Sequence, residues 1–149
     1  FHNCKSSGIH KIYYKWIQYQ LFRAQLKTGI GIPMNVFGPG LSVAHLGPII
    51  INGHAKIGKN CRIHPFTTIG IDGRSDGVAT VGDNVYLSNG CKLIGDIEIG
   101  NGIIVAAGAV VTKSFKGENA VIGGVPAKVL SYSGNPFPQE RRGADIAKR

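Results

Sequence analysis

His45 lies in the stretch GPGLSVAHLGPIIING, residues 38–53, where counting back in sixes from Ile57 through Ile51 lands on an imidazole instead of an aliphatic side chain. A neutral imidazole accepts a proton near pH 7, so a histidine held beside a hydroxyl can turn that weak nucleophile into a competent one. The same count points His45 inward, and a buried imidazole needs partners for its polar nitrogens. Residue type alone leaves a structural and a catalytic histidine both open. Pro39, Gly40, Gly47 and Pro48 bracket the position and let the backbone leave regular geometry there. His2 and His10 fall in the N-terminal segment, while His54 and His64 occupy slots that the repeat turns outward and read as surface residues.

The second stretch with chemical content is GIDGRSDGVAT, residues 70–80. Asp72, Arg74 and Asp76 alternate with glycines and make a poor inward strand, so an external loop is predicted, close enough to lean back over His45. These three charged residues are the candidate substrate-binding groups. Cys4, Cys61 and Cys91 show no CxxC spacing; the expectation is a reduced, cytoplasmic chain with no metal site, in which Cys61 and Cys91 act as small buried hydrophobes.

Charge narrows the partners. The net charge is +9, but residues 1–28 carry five Lys/Arg and no acid, whereas residues 29–130 carry eight basic and six acidic residues. A nearly neutral body argues against a nucleic-acid surface. The basic N-terminal segment allows at most peripheral membrane contact and reads by default as a solvated helix face. No apolar run approaches the ~20 residues of a membrane span.

The elements that must position His45 are set by a repeat. Stepping by six from Ile57 gives Ile63, Ile69, Ser75, Val81, Leu87, Leu93, Ile99, Val105 and Val111, so nine of ten positions are aliphatic. Gly58, Gly70, Gly82 and Gly100 follow directly, and Asn60, Asn84 and Gly102 fall where a tight corner needs positive φ. Positions four further on, such as Cys61, Thr67, Val85 and Cys91, are small or apolar. Each unit is therefore one short strand and a corner, three units close one 18-residue coil, and coils stack, with Ile63, Val81 and Ile99 expected one above another. A period of six excludes an α-helix through this region. Residues 9–27, by contrast, carry apolar side chains at helical spacing (Ile9, Ile12, Tyr13, Trp16, Ile17), stopped by Gly29, Gly31 and Pro33. That stripe is expected to cap the open end of the stack or to contact a neighbouring subunit.

The [Ile/Leu/Val]-Gly-x-x-x-x pattern resembles the hexapeptide-repeat acyltransferases over roughly residues 36–130. The resemblance implies an all-β solenoid, a left-handed parallel β-helix, with a short N-terminal helix and a C-terminal extension. The expected division is a helical segment at 1–33, a β-helix acyltransferase domain at 34–130 and a tail at 131–149. GLSVAHLGPIIING further resembles the segment that carries the catalytic histidine of serine O-acetyltransferases, which makes His45 the general base for attack of a hydroxyl on acetyl-CoA. That resemblance also implies a homotrimer with coenzyme A between adjacent solenoids, against Gly70, Ile71, Asn89 and Ala107, with Lys113, Lys116 and Lys128 available to its phosphates.

Departures from the serine enzymes shape the expected acceptor. The acid before the histidine is Ala44 here, gapless matching puts Ile30 in the place of an orienting acid upstream, a second histidine is replaced by Val78-Ala79-Thr80, and a lysine near the coenzyme is Ile104. An ammonium-bearing acceptor wants carboxylates, so these changes point to a neutral sugar hydroxyl and to O-acetylation in bacterial surface-polysaccharide synthesis. L-Serine O-acetylation and a non-catalytic β-helix scaffold are the alternatives. A γ-class carbonic anhydrase on the same solenoid would need three converging histidines, and the spacing of His64 and the others does not supply them. The group that orients His45 is expected among a backbone carbonyl, Asn35, Asn52 and a loop aspartate.

Overall fold

Six residues leave room for two or three in a strand before the next corner, and the computed structural model, which describes residues 8–133, is built almost wholly from strands of that length. His2, Cys4 and the tail beyond residue 133 lie outside the described residues. A five-stranded sheet contains β1 (Ile30–Gly31), β3 (Ile49–Ile51), β6 (Thr68–Gly70), β9 (Lys92–Ile94) and β12 (Val110–Val111). A three-stranded sheet contains β4 (Lys56–Ile57), β7 (Thr80–Val81) and β10 (Glu98–Ile99). A six-stranded sheet contains β2 (Ser42–Val43), β5 (Arg62–Ile63), β8 (Tyr86–Leu87), β11 (Ile104–Val105), β13 (Val121–Gly124) and β14 (Ala127–Ser131). From β3 to β12 the chain visits the five-, three- and six-stranded sheets in fixed rotation. All named strand pairs are parallel except the closing β13–β14 hairpin.

Register shows where the repeat is regular and where it is not. Val81 pairs with Ile99, Leu87 with Val105 and Leu93 with Val111, each 18 positions apart. One coil earlier the step is 24, with Ile57 on Val81, Ile63 on Leu87 and Ile69 on Leu93, so six extra residues lie between Ile69 and Val81. The column expected from Ile63 through Val81 to Ile99 is thus corrected to Ile57, Val81 and Ile99. The external loop is one whole repeat long, so counting in sixes returns to phase after it but on the wrong sheet. Nearer the N-terminus, Val43 pairs with Ile63, 20 positions on, while Ile51 pairs with Ile69, 18 on. Two extra residues therefore sit in the corner between Val43 and Ile51, which is the corner holding His45.

Two side chains per unit fill the interior. Ile63, Leu87, Val105 and Ile122 form one buried row, and Cys61, Val85 and Ile103 another. Burying each large aliphatic side chain stabilises the stack by roughly 1.5–3 kcal/mol. Cys61 and Cys91 are free and buried. Burial pushes the Cys91 thiol up to about 11, so it stays protonated, as a packing group rather than a nucleophile.

The N-terminal helix α1 spans Gly8–Thr28. Its aromatic stripe does not cap the stack: Ile12, Tyr13 and Trp16 are exposed, and among the helix side chains described only Ile17, Leu21 and Gln25 are half-buried. Gln25 donates a side-chain hydrogen bond to the Ile32 carbonyl and ties the helix to the strand that follows. Hexad packing is completed by the coils themselves, so the helix has one narrow face of attachment and Val43 in the first rung stays 39% exposed. Among the described residues no helix is long and apolar enough to cross a membrane.

Candidate functional site

Three lines of corners run down the stack, and they differ in chemistry. The line from the three- to the six-stranded sheet is structural: Asn60 and Asn84 adopt positive φ there, and Asn60 Nδ2 donates to Asn84 Oδ1 at 3.2 Å. The line from the six- to the five-stranded sheet carries His45, His64, Asn89 and Ala107 in succession, because these residues follow β2, β5, β8 and β11. The line from the five- to the three-stranded sheet carries Gly70 at the end of β6, then Ile71 and the rest of the loop to residue 79, and Lys113 after β12.

His45 is exposed, not buried as the count in sixes implied. The inserted residues push its corner out of the inward phase. The corner is still well fixed: the Ala44 amide donates to the Ile63 carbonyl at 2.9 Å, and the Phe66 amide donates to the Pro48 carbonyl at 2.5 Å. Gly47 has φ +147, and a Cβ on it would meet Pro65 Cβ at 2.9 Å, so glycine lets the longer corner lie against the next one.

One coil further down, the 64–67 corner comes beneath His45. The rings of His45 and His64 lie 5.8 Å apart between centroids, edge to face at 65°. His64 Nε2 and the Tyr86 hydroxyl are hydrogen-bonded at 2.7 Å. Tyr86 stands in β8 directly opposite Arg62 of β5, and an Arg62 Nη1–Ser42 Oγ contact of 3.5 Å joins the rung above. His64, read from sequence as a surface residue, is half-buried. Burial first, then the charges of Arg62 and His45, hold its imidazole below the usual histidine range. The site is thus an imidazole open to solvent, backed by a second imidazole whose charged form burial disfavours, with a guanidinium nearby.

Sequence reasoning missed His64 and Tyr86. Their proximity rests on strand register, 22 residues apart in the chain, and the only hint was the Pro/Gly content that marks the His45 corner as irregular. Asn35 and Asn52, two of the groups expected to orient His45, are elsewhere. Asn52 lies on the other line of corners, where its Oδ1 accepts from the His54 amide at 2.9 Å. Asn35 sits at positive φ in the turn before Phe37, whose bridge is to Ile57 of the three-stranded sheet.

The loop does not lean over His45 within the chain. It follows β6 and packs on the neighbouring corner of the next coil: the Gly95 amide donates to the Gly70 carbonyl at 2.9 Å, and Gly77 lies against Asp96. Asp72 accepts from the amides of Arg74 and Ser75 at 2.9 and 3.2 Å, and these bonds, Arg74 first, draw its carboxyl below the usual range. Asp72, Arg74 and Asp76 are all exposed. Lys113 Nζ sits 5.5 Å from the Phe115 ring, Lys116 pairs with Glu98, and Lys128 projects from the β13–β14 hairpin opposite Gly123. One chain therefore gathers His45, Asn89 and Ala107 on one line and Gly70, Ile71, the loop and Lys113 on another. Among the described residues no group of three or more His, Cys, Asp or Glu could hold a metal ion.

Comparison with known proteins fits this geometry. Residues 79–113, the most regular coils, match the bacterial transferase hexapeptide (six repeats) family. A serine acetyltransferase of Mycobacterium tuberculosis is 34% identical over 120 residues, covering 76% of this chain and 52% of that protein. The crystal structure of serine acetyltransferase from Brucella abortus strain S19 superposes with a TM-score of 0.61 at 29% identity, over 66% of this chain and 41% of that one. A solved serine acetyltransferase in complex with CoA gives a TM-score of 0.57 at 26% identity, over 64% and 40% of the two chains. The chain spans about half the length of the curated relatives it matches.

These similarities overturn the sugar acceptor and the surface-polysaccharide role expected above, since relatives 32% and 34% identical are serine acetyltransferases. That expectation rested on gapless matching of Ala44 and Ile30 along one chain, which does not register groups that folding or assembly brings to the site. An exposed histidine on a corner of hexapeptide coils thus belongs to a chain similar, over 76% of its length, to serine acetyltransferase.

Proposed function

We propose that this chain is an acetyl-CoA-dependent L-serine O-acetyltransferase built on a left-handed parallel β-helix at residues 34–130, with a helical lead-in at 1–33 and a tail at 131–149. The observation that carries the reading is the exposed His45 imidazole on a fixed corner, in a chain similar to serine acetyltransferases along most of its length. His45 takes the proton of the serine hydroxyl as that oxygen attacks the thioester carbonyl. The carbon–oxygen bond forms, the tetrahedral oxyanion collapses, the carbon–sulfur bond breaks, and the coenzyme thiolate leaves with the proton from the imidazolium. Peptide N–H groups at the corners are the natural donors to the oxyanion.

The acetyl donor follows from a relative whose structure is a complex with CoA. Assigned to it are Gly70, Ile71, Asn89, Ala107, Lys113 and Lys128, and Asp72, Arg74 and Asp76 are assigned to the acceptor. These groups fall on two lines of corners in one chain, and a homotrimer, in which one chain's loop line faces its neighbour's histidine line, is the assembly that brings them together. A mixture of the purified chain, acetyl-CoA and L-serine should release free thiol and O-acetylserine, and His45→Ala should abolish both. No thiol release by the wild type, or undiminished release by His45→Ala, overturns the reading. Absence of coenzyme A binding by calorimetry would leave a non-catalytic scaffold in its place.

A further inference from the structure

We propose that His64, pinned through Nε2 to the Tyr86 hydroxyl, is a positioning residue for His45: its ring sets the orientation of the exposed imidazole in a corner where, among the described residues, no carboxylate pairs with it. The inference rests on His45 as the base and adds what holds that base in line.

His64 is fixed at three points. Its amide donates to the Leu87 carbonyl at 3.0 Å, its own carbonyl accepts from the buried Thr67 hydroxyl at 2.8 Å, and its ring is hydrogen-bonded to Tyr86 at 2.7 Å. Tyr86 in turn is placed by parallel pairing with Arg62. His45 sits on an inserted corner open to solvent, where an imidazole would otherwise exchange between rotamers. The His64 ring, 5.8 Å away and edge-to-face, is the ring against which it rests. A misplacement of about 1 Å in a base can cost about a hundredfold in rate, so a rigid neighbour matters even without touching substrate.

Charge supports the same role. The groups facing His64 are Arg62 on its own strand, Tyr86 on β8 and His45 on the corner above. Burial first, then the charges of Arg62 and His45, disfavour the charged form of the His64 ring, and a neighbour that resists protonation repels less the proton that His45 must accept.

Steady-state transfer from acetyl-CoA to L-serine tests this with His64→Ala, His64→Gln and Tyr86→Phe, each checked for an unchanged melting temperature. His64→Ala should lower kcat about 10- to 100-fold with KM for acetyl-CoA unaltered. His64→Gln, which can still bond the Tyr86 hydroxyl but gives His45 no ring to rest on, should recover part of that loss, and Tyr86→Phe should fall between wild type and His64→Ala. Unchanged kcat in His64→Ala, an effect on KM alone, or a Gln variant no better than Ala overturns the proposal. If His64→Ala does not fold, the Gln and Phe variants decide by the same criteria. If the wild type transfers no acetyl group, the functional reading has failed rather than this one. Ring-to-ring nuclear Overhauser contacts then decide: their presence in the wild type and weakening in Tyr86→Phe support the pair, and their absence, or indifference to Tyr86→Phe, overturns it.

Discussion

The coils from Val78 onward and the coils before it are built on the same rule and put it to different use. Downstream, from β7 to β12, each rung pairs with the one 18 residues later, aliphatic side chains fill the interior row after row, and the corners keep one regular length. Upstream, one corner is lengthened by two residues and one turn by six, and those two places hold the exposed imidazole and the charged loop. A regular stack buries its aliphatic residues efficiently and keeps its corners to short turns. Departure from the repeat is what turns a polar group outward on a rigid support.

The comparison is sharpest at His45 and Leu87. His45→Ala should cost about 10²- to 10⁴-fold in turnover, read as thiol release, with the melting temperature unmoved because the ring is exposed. Leu87→Ala, in the fully buried row, should do the reverse: a loss of about 2–5 kcal/mol in denaturant unfolding, with turnover per folded molecule retained. If both variants lose stability alike, the division between an exposed functional corner and a buried structural row is wrong.

A smaller effect is expected where the two regions meet. Gly47→Ala puts a methyl group 2.9 Å from Pro65 Cβ at a φ that side chains rarely adopt, which should cost about 1–3 kcal/mol and also reduce turnover, since the His45 corner must move. Retention of both would show that the corner is looser than its hydrogen bonds imply.

Acid should separate the regions more gently. The His64 imidazole is held below its ordinary value of 6.5, so the unfolded chain binds its proton more readily than the folded one. Stability is therefore full above pH 6.5 and declines as pH falls through the lower, folded value. A melting-temperature series should show this decline, and His64→Gln should flatten it; a series unaltered by that substitution would sink the assignment. Smallest of all, Asp72→Ala removes an exposed carboxylate that bonds only its own loop amides. It should leave the melting temperature alone while increasing protease cleavage within residues 71–77.

Much of this was legible in the residues. The hexad phase, the asparagines and glycines at positive φ, the external loop at Ser75 and the helix before Gly29 each follow from local rules that hold whatever the rest of the chain does. His45 stood out because it broke the phase. Its environment was not legible, for a specific reason: two inserted residues shift the phase with only the Pro and Gly of that corner as a sign, and six inserted residues keep the phase while rotating every later strand onto the next sheet.

By itself, then, the sequence determined that a six-residue repeat stacks, which side chains fill it and which histidine departs from it, because burial of aliphatic side chains at fixed spacing is a local demand repeated many times. Only the tertiary structure decided which rungs lie on one another, and so that His64 stands beside His45 and Tyr86 beside His64, while the charged loop lies on a different line of corners. Those neighbours are set by hydrogen-bond register between strands some twenty residues apart, a relation that no single window of the chain contains.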